Sequence, residues 1–200
     1  MRTFEFKGGT LALNFVDTVA YRQGPCVDLL GEPADLATWA SLAGYEIGGA
    51  PSVAALEGAR TLREAIWRSL GAAMEGRGPE KGDAEIINAA ARQTPFRPQF
   101  TDDGMTHTAE KPVDALLSGV AADAILRLQP EARARLRRCP GCQMYFFDTS
   151  PPGKRVWCSS AVGCGNQFKK KRHYARTSKT KNNTKAMETG HDRQAGLFRL

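Results

Sequence analysis

The chain has 200 residues, 42% of them hydrophobic and 24% charged, which fits one large or two small globular domains and excludes wholesale disorder. No stretch approaches the roughly 18 apolar residues of a membrane-spanning helix, and the opening Met1–Lys7 segment lacks the apolar run of a secretory signal, so a cytoplasmic location is expected. The net charge of +7 is unevenly spread: residues 1–132 hold 12 Lys/Arg against 18 Asp/Glu, a net −6, while residues 133–185 hold 14 against the single Asp148, a net +13. An acidic body joined to a basic end points to a polyanion partner for that end.

In chain order, Phe4-Glu5-Phe6 reads as a short strand that ends at Gly8-Gly9. Thr10 can cap a helix carrying Leu11, Leu13, Phe15, Val16 and Val19. Gly24-Pro25 marks a loop, and Pro33 suits the first turn of a helix with Leu36, Trp39, Ala40 and Ala43 on one side. Ser52 caps a longer helix whose stripe is Leu56, Ala59, Leu62, Ile66, Leu70 and Met74, and Gly76-Arg77-Gly78-Pro79 breaks it. A helix is expected near 82–92, then a hairpin over about 96–110 turning at Asp103-Gly104, with Pro98 placing its first strand at an edge. Pro112 starts a further helix, and the basic stretch from Pro130 to Arg138 reads as a short helix. The fold class expected for the body is therefore mostly α with a small β-hairpin.

Four of the five cysteines, Cys139, Cys142, Cys158 and Cys164, fall within 26 residues as C-x2-C-x15-C-x5-C. In a reducing compartment four clustered thiols read as a tetrahedral metal site before they read as disulfides. A structural site of this kind takes one zinc ion and leaves no position open. Cys139-Pro140-Gly141-Cys142 is a knuckle whose Pro and Gly permit a tight turn. A redox-active C-x-x-C would need a strand before it and a helix opening on it, which the reading of 130–138 as helix disfavours. A rival ligand set replaces Cys158 with His173 and leaves a thiol spare. From Cys139 the expected order is knuckle, a strand over Met144–Phe147, a turn at 149–153, a return strand at Arg155-Val156-Trp157, and a helix from Cys164 to about Ser178. That order is treble-clef-like, with the second cysteine pair near a helix N-terminus, where the dipole favours thiolates. Domain limits follow at 1–132, 133–180 and a flexible tail over 181–200.

Trp157-Cys158-Ser159 with Cys164-Gly165-Asn166-Gln167 resembles the CGNR zinc finger, and Leu11-Ala12-Leu13-Asn14-Phe15-Val16-Asp17-Thr18-Val19 resembles the opening of the ABATE domain that usually precedes it. Asp28-Leu29-Leu30 and Leu36-Ala37-Thr38-Trp39 also fit that domain. The resemblance covers about residues 4–180 and implies a bacterial cytoplasmic, stress-responsive transcription regulator that binds DNA. Three departures stand out. Gln167 replaces the motif's Arg, which removes one charge-assisted contact if that Arg meets phosphate or guanine. The Cys158–Cys164 gap is one residue longer than the family's. Asn14 precedes Asp17 where the usual order is reversed, although at i, i+3 the pair still shares a helix face.

On the helix from Cys164, positions 169, 172, 173 and 176 share a face, so Lys169, Arg172, His173 and Arg176 point one way, while Phe168 and Ala175 lean toward the finger's core. Asn166 and Gln167 carry amides suited to adenine edges, and Lys154, Arg155, Lys169, Lys170, Arg172 and Arg176 would anchor phosphates. Tyr174 and Trp157 offer stacking for single-stranded RNA, although Trp157 fits the core better. A solvated basic face without a partner is the bland alternative. The body holds no G-x-S-x-G, P-loop or H-E-x-x-H, so an enzyme is not expected. Its expected role is to sense a small effector, for which Asn14 and Asp17 are the candidate pair, or to form a homodimer. The alternative to a DNA-binding regulator is a zinc adaptor that binds RNA or protein.

Overall fold

The computed structural model describes residues 3–22, 24–102, 104–158 and 163–174. The chain divides into two units, residues 1–158 and 159–200.

In the first unit, α1 (Leu11–Val16) starts on Thr10, whose hydroxyl accepts from the Leu13 N–H at 3.4 Å. Six residues cannot hold a helix in water by themselves, so packing fixes it: Leu13, Phe15 and Val16 are fully buried. β1 (Val19–Ala20) pairs antiparallel with β2 (Val27–Asp28), a two-rung ladder that the loop reading of this segment missed. α2 (Pro33–Leu42) begins on a proline at its first turn, and Asp35 reaches back to the N–H groups of Gly31 and Glu32 at 2.8 and 2.9 Å. α3 (Val53–Met74) is capped by Ser52, which accepts from Ala55 N–H at 3.1 Å, and α4 (Lys81–Ala91) follows the glycine-proline break. β3 (Arg97–Thr101) and β4 (Gly104–Thr108) form the expected hairpin, although Gly104, read as part of the turn, pairs with Thr101 in the ladder. α5 (Pro112–Leu128) and the single-turn α6 (Pro130–Arg133) complete the helices of this unit.

α1, α3, α4 and α5 pack around one core to which α2 adds Leu36 and Trp39. Trp39 sits edge-on to Phe15 at 4.9 Å and stacks with Phe6 at 6.1 Å. The Phe4–Phe6 segment is therefore anchored by a ring contact; it forms no strand, because no described strand lies beside it to pair with. Beside the core runs an ion network. Arg63, 3% exposed, grips both oxygens of Asp28 at 2.7 and 2.8 Å and also meets Glu64, while Arg22 forks onto Glu64 and lies over the Trp67 ring at 4.3 Å. Burial alone would raise Asp28 and Glu64; the guanidinium groups outweigh it and hold both below the ordinary carboxylate range.

The basic segment begins differently from its reading as a helix. After α6 the chain forms β5 (Leu136–Arg138), which pairs with β6 (Tyr145–Phe147). The register Arg138↔Tyr145 makes Cys139–Met144 the loop of this hairpin. The expected return strand over 155–157 is not formed: β6 pairs with β5 instead, and the Arg155 N–H donates to the Asp148 carboxylate rather than to a ladder. Leu136 and Tyr145 enter the main core, and Tyr145 packs against Trp67 at 4.4 Å. The Gly8-Gly9 turn docks the same hairpin: the Phe147 N–H donates to the Gly8 carbonyl at 2.8 Å. Glycine is required at both positions. A Cβ on Gly8 would lie 2.5 Å from the Leu13 Cβ, and Gly9 has φ +83°.

In the second unit, residues 164–174 are helical. Ala175, Arg176 and the proposed end at Ser178, like the expected tail over 181–200, lie outside the described residues.

Candidate metal centre and nucleic-acid interface

The β5–β6 loop carries the first two thiols, Cys139 buried and Cys142 half-buried. Gln143, at φ 64°, closes the knuckle, with its N–H donating to the Cys139 carbonyl at 2.8 Å. Cys158 is brought back by the segment after β6, which Asp148 organises. The Asp148 carboxylate is buried and accepts from the Ser150 hydroxyl at 2.6 Å, the Ser150 N–H at 2.9 Å and the Arg155 N–H at 2.7 Å. The Ser150 hydroxyl, then these backbone donors, lower its pKa to about 2. Arg155 lies over the Phe146 ring at 4.8 Å and donates to the Trp157 carbonyl at 2.8 Å and to the Cys158 carbonyl. Arg135 closes the same turn from β5's side through the Asp148 and Ser150 carbonyls at 3.1 and 2.7 Å.

The ligand atoms of Cys139, Cys142, Cys158 and Cys164 all lie within 4.8 Å of one another, and the Cys142 and Cys158 sulfurs are 3.6 Å apart. Tetrahedral zinc with bonds of about 2.3 Å needs sulfur–sulfur edges of about 3.8 Å. The hydrogen bond from Cys142, together with burial and neighbouring thiols, pushes the Cys158 thiol up. Four thiolates at this spacing repel one another, and a dication at their centre relieves that repulsion. The donor set therefore fits a single structural zinc ion. Among the described residues this is the one cluster with such ligand spacing, and it contains Cys158 rather than His173. Cys26 is exposed and outside the cluster.

Two family models match the chain. The ABATE model, described as "putative stress-induced transcription regulator", covers residues 9–130, more than half of the sequence. The chain belongs to the ABATE family. The second model, the CGNR zinc finger, covers residues 135–177 and so contains all four cysteines. Both families are of regulator and zinc-finger type rather than enzyme families. No curated protein matches the chain. Among the described residues no helix is long and apolar enough to cross a membrane.

In this ABATE protein the cations of the basic segment fall into two groups. Arg133, Arg135, Arg137, Arg138 and Arg155 all donate to backbone carbonyls, and Arg138 also lies near the Tyr145 ring at 5.9 Å. Lys154, Lys169, Lys170, Lys171 and Arg172 are exposed, as are Asn166, Gln167 and His173. Phe168, expected to lean inward, is 50% exposed, and Tyr174 is 67% exposed. Trp157 is half-buried.

The Asn14–Asp17 pair does not act as one unit. Asn14 accepts the Gly8 N–H at 2.8 Å and so pins the glycine turn that docks β6. Asp17 caps the end of α1 and is buried, with Oδ2 lacking a partner among the described residues. Burial, then the nearby Cys142, raises its pKa well above the carboxylate range. Sequence reasoning missed Asp148, Arg155's hold on Cys158 and the Gly8–Phe147 junction. The lone acid in the +13 segment was the available signal for Asp148.

Proposed function

We propose that the protein is a transcription regulator that binds duplex DNA through its zinc finger, with the acidic body as a dimerising or effector-sensing domain. The observation that carries this reading is the division among the finger's cations. The arginines at 133–138 and Arg155 are spent on backbone carbonyls, whereas Lys169, Lys170, Lys171 and Arg172 are exposed on one short helix behind Asn166 and Gln167. Such a helix suits a major groove: cations hold phosphates while amides near its start meet base edges. Zinc would be held by Cys139, Cys142, Cys158 and Cys164, and its contribution is structural. Finger and body are read as meeting near residue 133, with the protein acting in the reducing cytoplasm that thiolate ligands need.

The exposed Tyr174 and Phe168 rings support a second reading, in which the finger stacks on single-stranded RNA. A selection on random duplexes with the zinc-loaded protein separates the two. Enrichment of a base-pair pattern is expected. A pool without pattern, together with tighter binding to single-stranded RNA, would contradict the DNA reading. For the body, Asn14's bond to the Gly8 N–H favours a structural role for that residue, and dimerisation is the stronger proposal.

A further inference from the structure

The ion pairs of the body leave a gap at one junction. Every described Lys or Arg of residues 1–132 lies within pairing distance of a carboxylate except Arg92, Arg97 and Lys111. These three mark the end of α4, the start of β3 and the start of α5. A cleft of about 550 Å³ opens between the same elements, within the range of roughly 300–1,000 Å³ typical of small-ligand sites. Arg97 and Lys111 line it with Glu110 and Asp114, two cations and two carboxylates. Among the described residues none of the four makes an ion pair, even with one another, although Lys111 directly follows Glu110 and Asp114 lies in the first turn of α5.

The walls of the cleft are fixed by the fold. Cross-strand partners share a face, so Arg97 with Thr108 and Gln99 with Thr106 form one side of the β3–β4 hairpin. The other side is rooted by Phe96 and His107, which pack on Tyr45 at ring separations of 5.2 and 5.5 Å. With that side held, Arg97, Gln99 and Thr108 of the polar side line the cleft. On another wall Gln93 is held by the buried Ser118, whose hydroxyl donates to the Gln93 carbonyl at 2.8 Å and ties the end of α4 to α5. Pro95 restricts the backbone of the same wall. Walls set before a ligand arrives lose less freedom when it binds.

We propose that this cleft binds a small zwitterion, an α-amino acid or a dipeptide, with its carboxylate on Arg97 and Lys111 and its ammonium on Glu110 and Asp114. Charge decides among the ligand classes. Residues 1–132 carry a net −6, which repels a free anion. A cation without a carboxylate leaves Arg97 and Lys111 unmatched. A ligand with one charge of each sign and no net charge satisfies both pairs. Gln93, Gln99 and Thr108 add neutral donors and acceptors, which suit a polar rather than an aliphatic side chain on the ligand. Arg97, Glu110 and Lys111 are exposed, so each contact is modest and a dissociation constant of about a millimolar or somewhat below is expected. From the cleft α5 runs to α6 and β5, the strand that leads into Cys139, so the ligand sits at the start of the helix that joins the body to the metal hairpin.

This inference rests on the effector-sensing reading of the body and moves it from Asn14 and Asp17 to the cleft. It makes no use of nucleic acid or of the oligomeric state, so its failure leaves the finger's DNA contact standing. The test is titration of the zinc-loaded, isotope-labelled full chain with each standard α-amino acid and with glycylglycine, read by amide chemical shifts and by calorimetry. At least one member is expected to bind at millimolar concentration or below and to shift the amides of Gln99, Thr108 and Lys111. Its N-acetyl and C-amide derivatives, each lacking one charge, should bind more weakly by about tenfold or more. Arg97→Gln and Glu110→Gln should each weaken binding by about the same factor, with the denaturation midpoint and the bound zinc unchanged. Arg92→Gln, outside the lining, should bind as wild type does. A panel without a binder would overturn the proposal, as would derivatives or cleft variants that bind as tightly as the parent pair. Shifts confined to another part of the body would also overturn it, while leaving effector sensing in place.

Discussion

The helical body and the zinc finger solve the same problem with different means. The body buries Leu13, Phe15, Trp39, Ile66, Leu70 and Val120 almost completely and spreads its stability over many side chains. Among the described residues the finger has few such side chains, and its four cysteine ligand atoms cluster instead. Between them lies the β5–β6 hairpin, which belongs to both. Its loop supplies Cys139 and Cys142, while Leu136 and Tyr145 sit in the body's core. The contrast teaches that a metal site need not be built on a free-standing module. Half of this one sits on the loop of a hairpin that the body's core anchors through Leu136 and Tyr145.

The largest test of that contrast is metal removal. Chelation should remove about 10–16 kcal/mol of apparent stabilisation from the finger. Far-UV circular dichroism should lose signal from the 164–174 helix and keep that of α1–α5, with one zinc released per chain. The same chelation separates hairpin from helix, because Tyr145 fluorescence transfer to Trp67, across 4.4 Å, should persist.

Next in size is the core. Phe15→Ala should cost about 3–5 kcal/mol, read as a lowered denaturation midpoint. It touches no cysteine, so the stoichiometry of bound zinc should be unchanged.

Arg63→Met should cost about 3 kcal/mol, at the low end for a broken buried pair because Asp28 and Glu64 are each more than a third or about a third exposed. Both carboxyls are depressed in the folded state, so their contribution is complete above the ordinary carboxylate range and fades as pH falls through the depressed values. Wild type should therefore lose stability on acidification below about pH 4, and the variant should lose less over the same window. Equal acid profiles would remove Arg63 from the account.

The smallest effect is expected at the junction. Gly8→Ala forces a Cβ into the Leu13 side chain and should cost about 1–3 kcal/mol. It should also loosen the hairpin, seen as faster hydrogen exchange at the Phe147 amide, which donates to Gly8.

Local chemistry was readable in the sequence where it decides structure by itself. Thr10 and Ser52 cap their helices, and Pro33 and Pro112 start theirs, because caps and first turns depend on a few adjacent residues. The four cysteines were readable because thiolate chemistry has few alternatives in a reducing setting. What escaped depends on distant partners. β1 and β2 are two residues each, too short for any alternation to register. The 130–138 stretch looked helical because nothing local says that Leu136–Arg138 pairs with Tyr145–Phe147. Arg63 looked like one more helix charge until Asp28, 35 residues away, was beside it. Arg155 likewise counted as a nucleic-acid contact in the sequence, whereas it holds the Trp157 carbonyl. Without Arg155, the proposed contact surface is the 164–174 helix, already expected from the sequence, and Lys154.

The most direct measurement of the central claim is the affinity for duplex DNA as a function of salt, with zinc bound and after chelation. Lys154, Lys169, Lys170, Lys171 and Arg172 contacting one phosphate each would give a log–log slope of about −4 to −5. The zinc-loaded protein should follow that line, and the chelated protein should bind far more weakly. An affinity that stays flat between low and moderate salt, or one indifferent to zinc, would contradict the account.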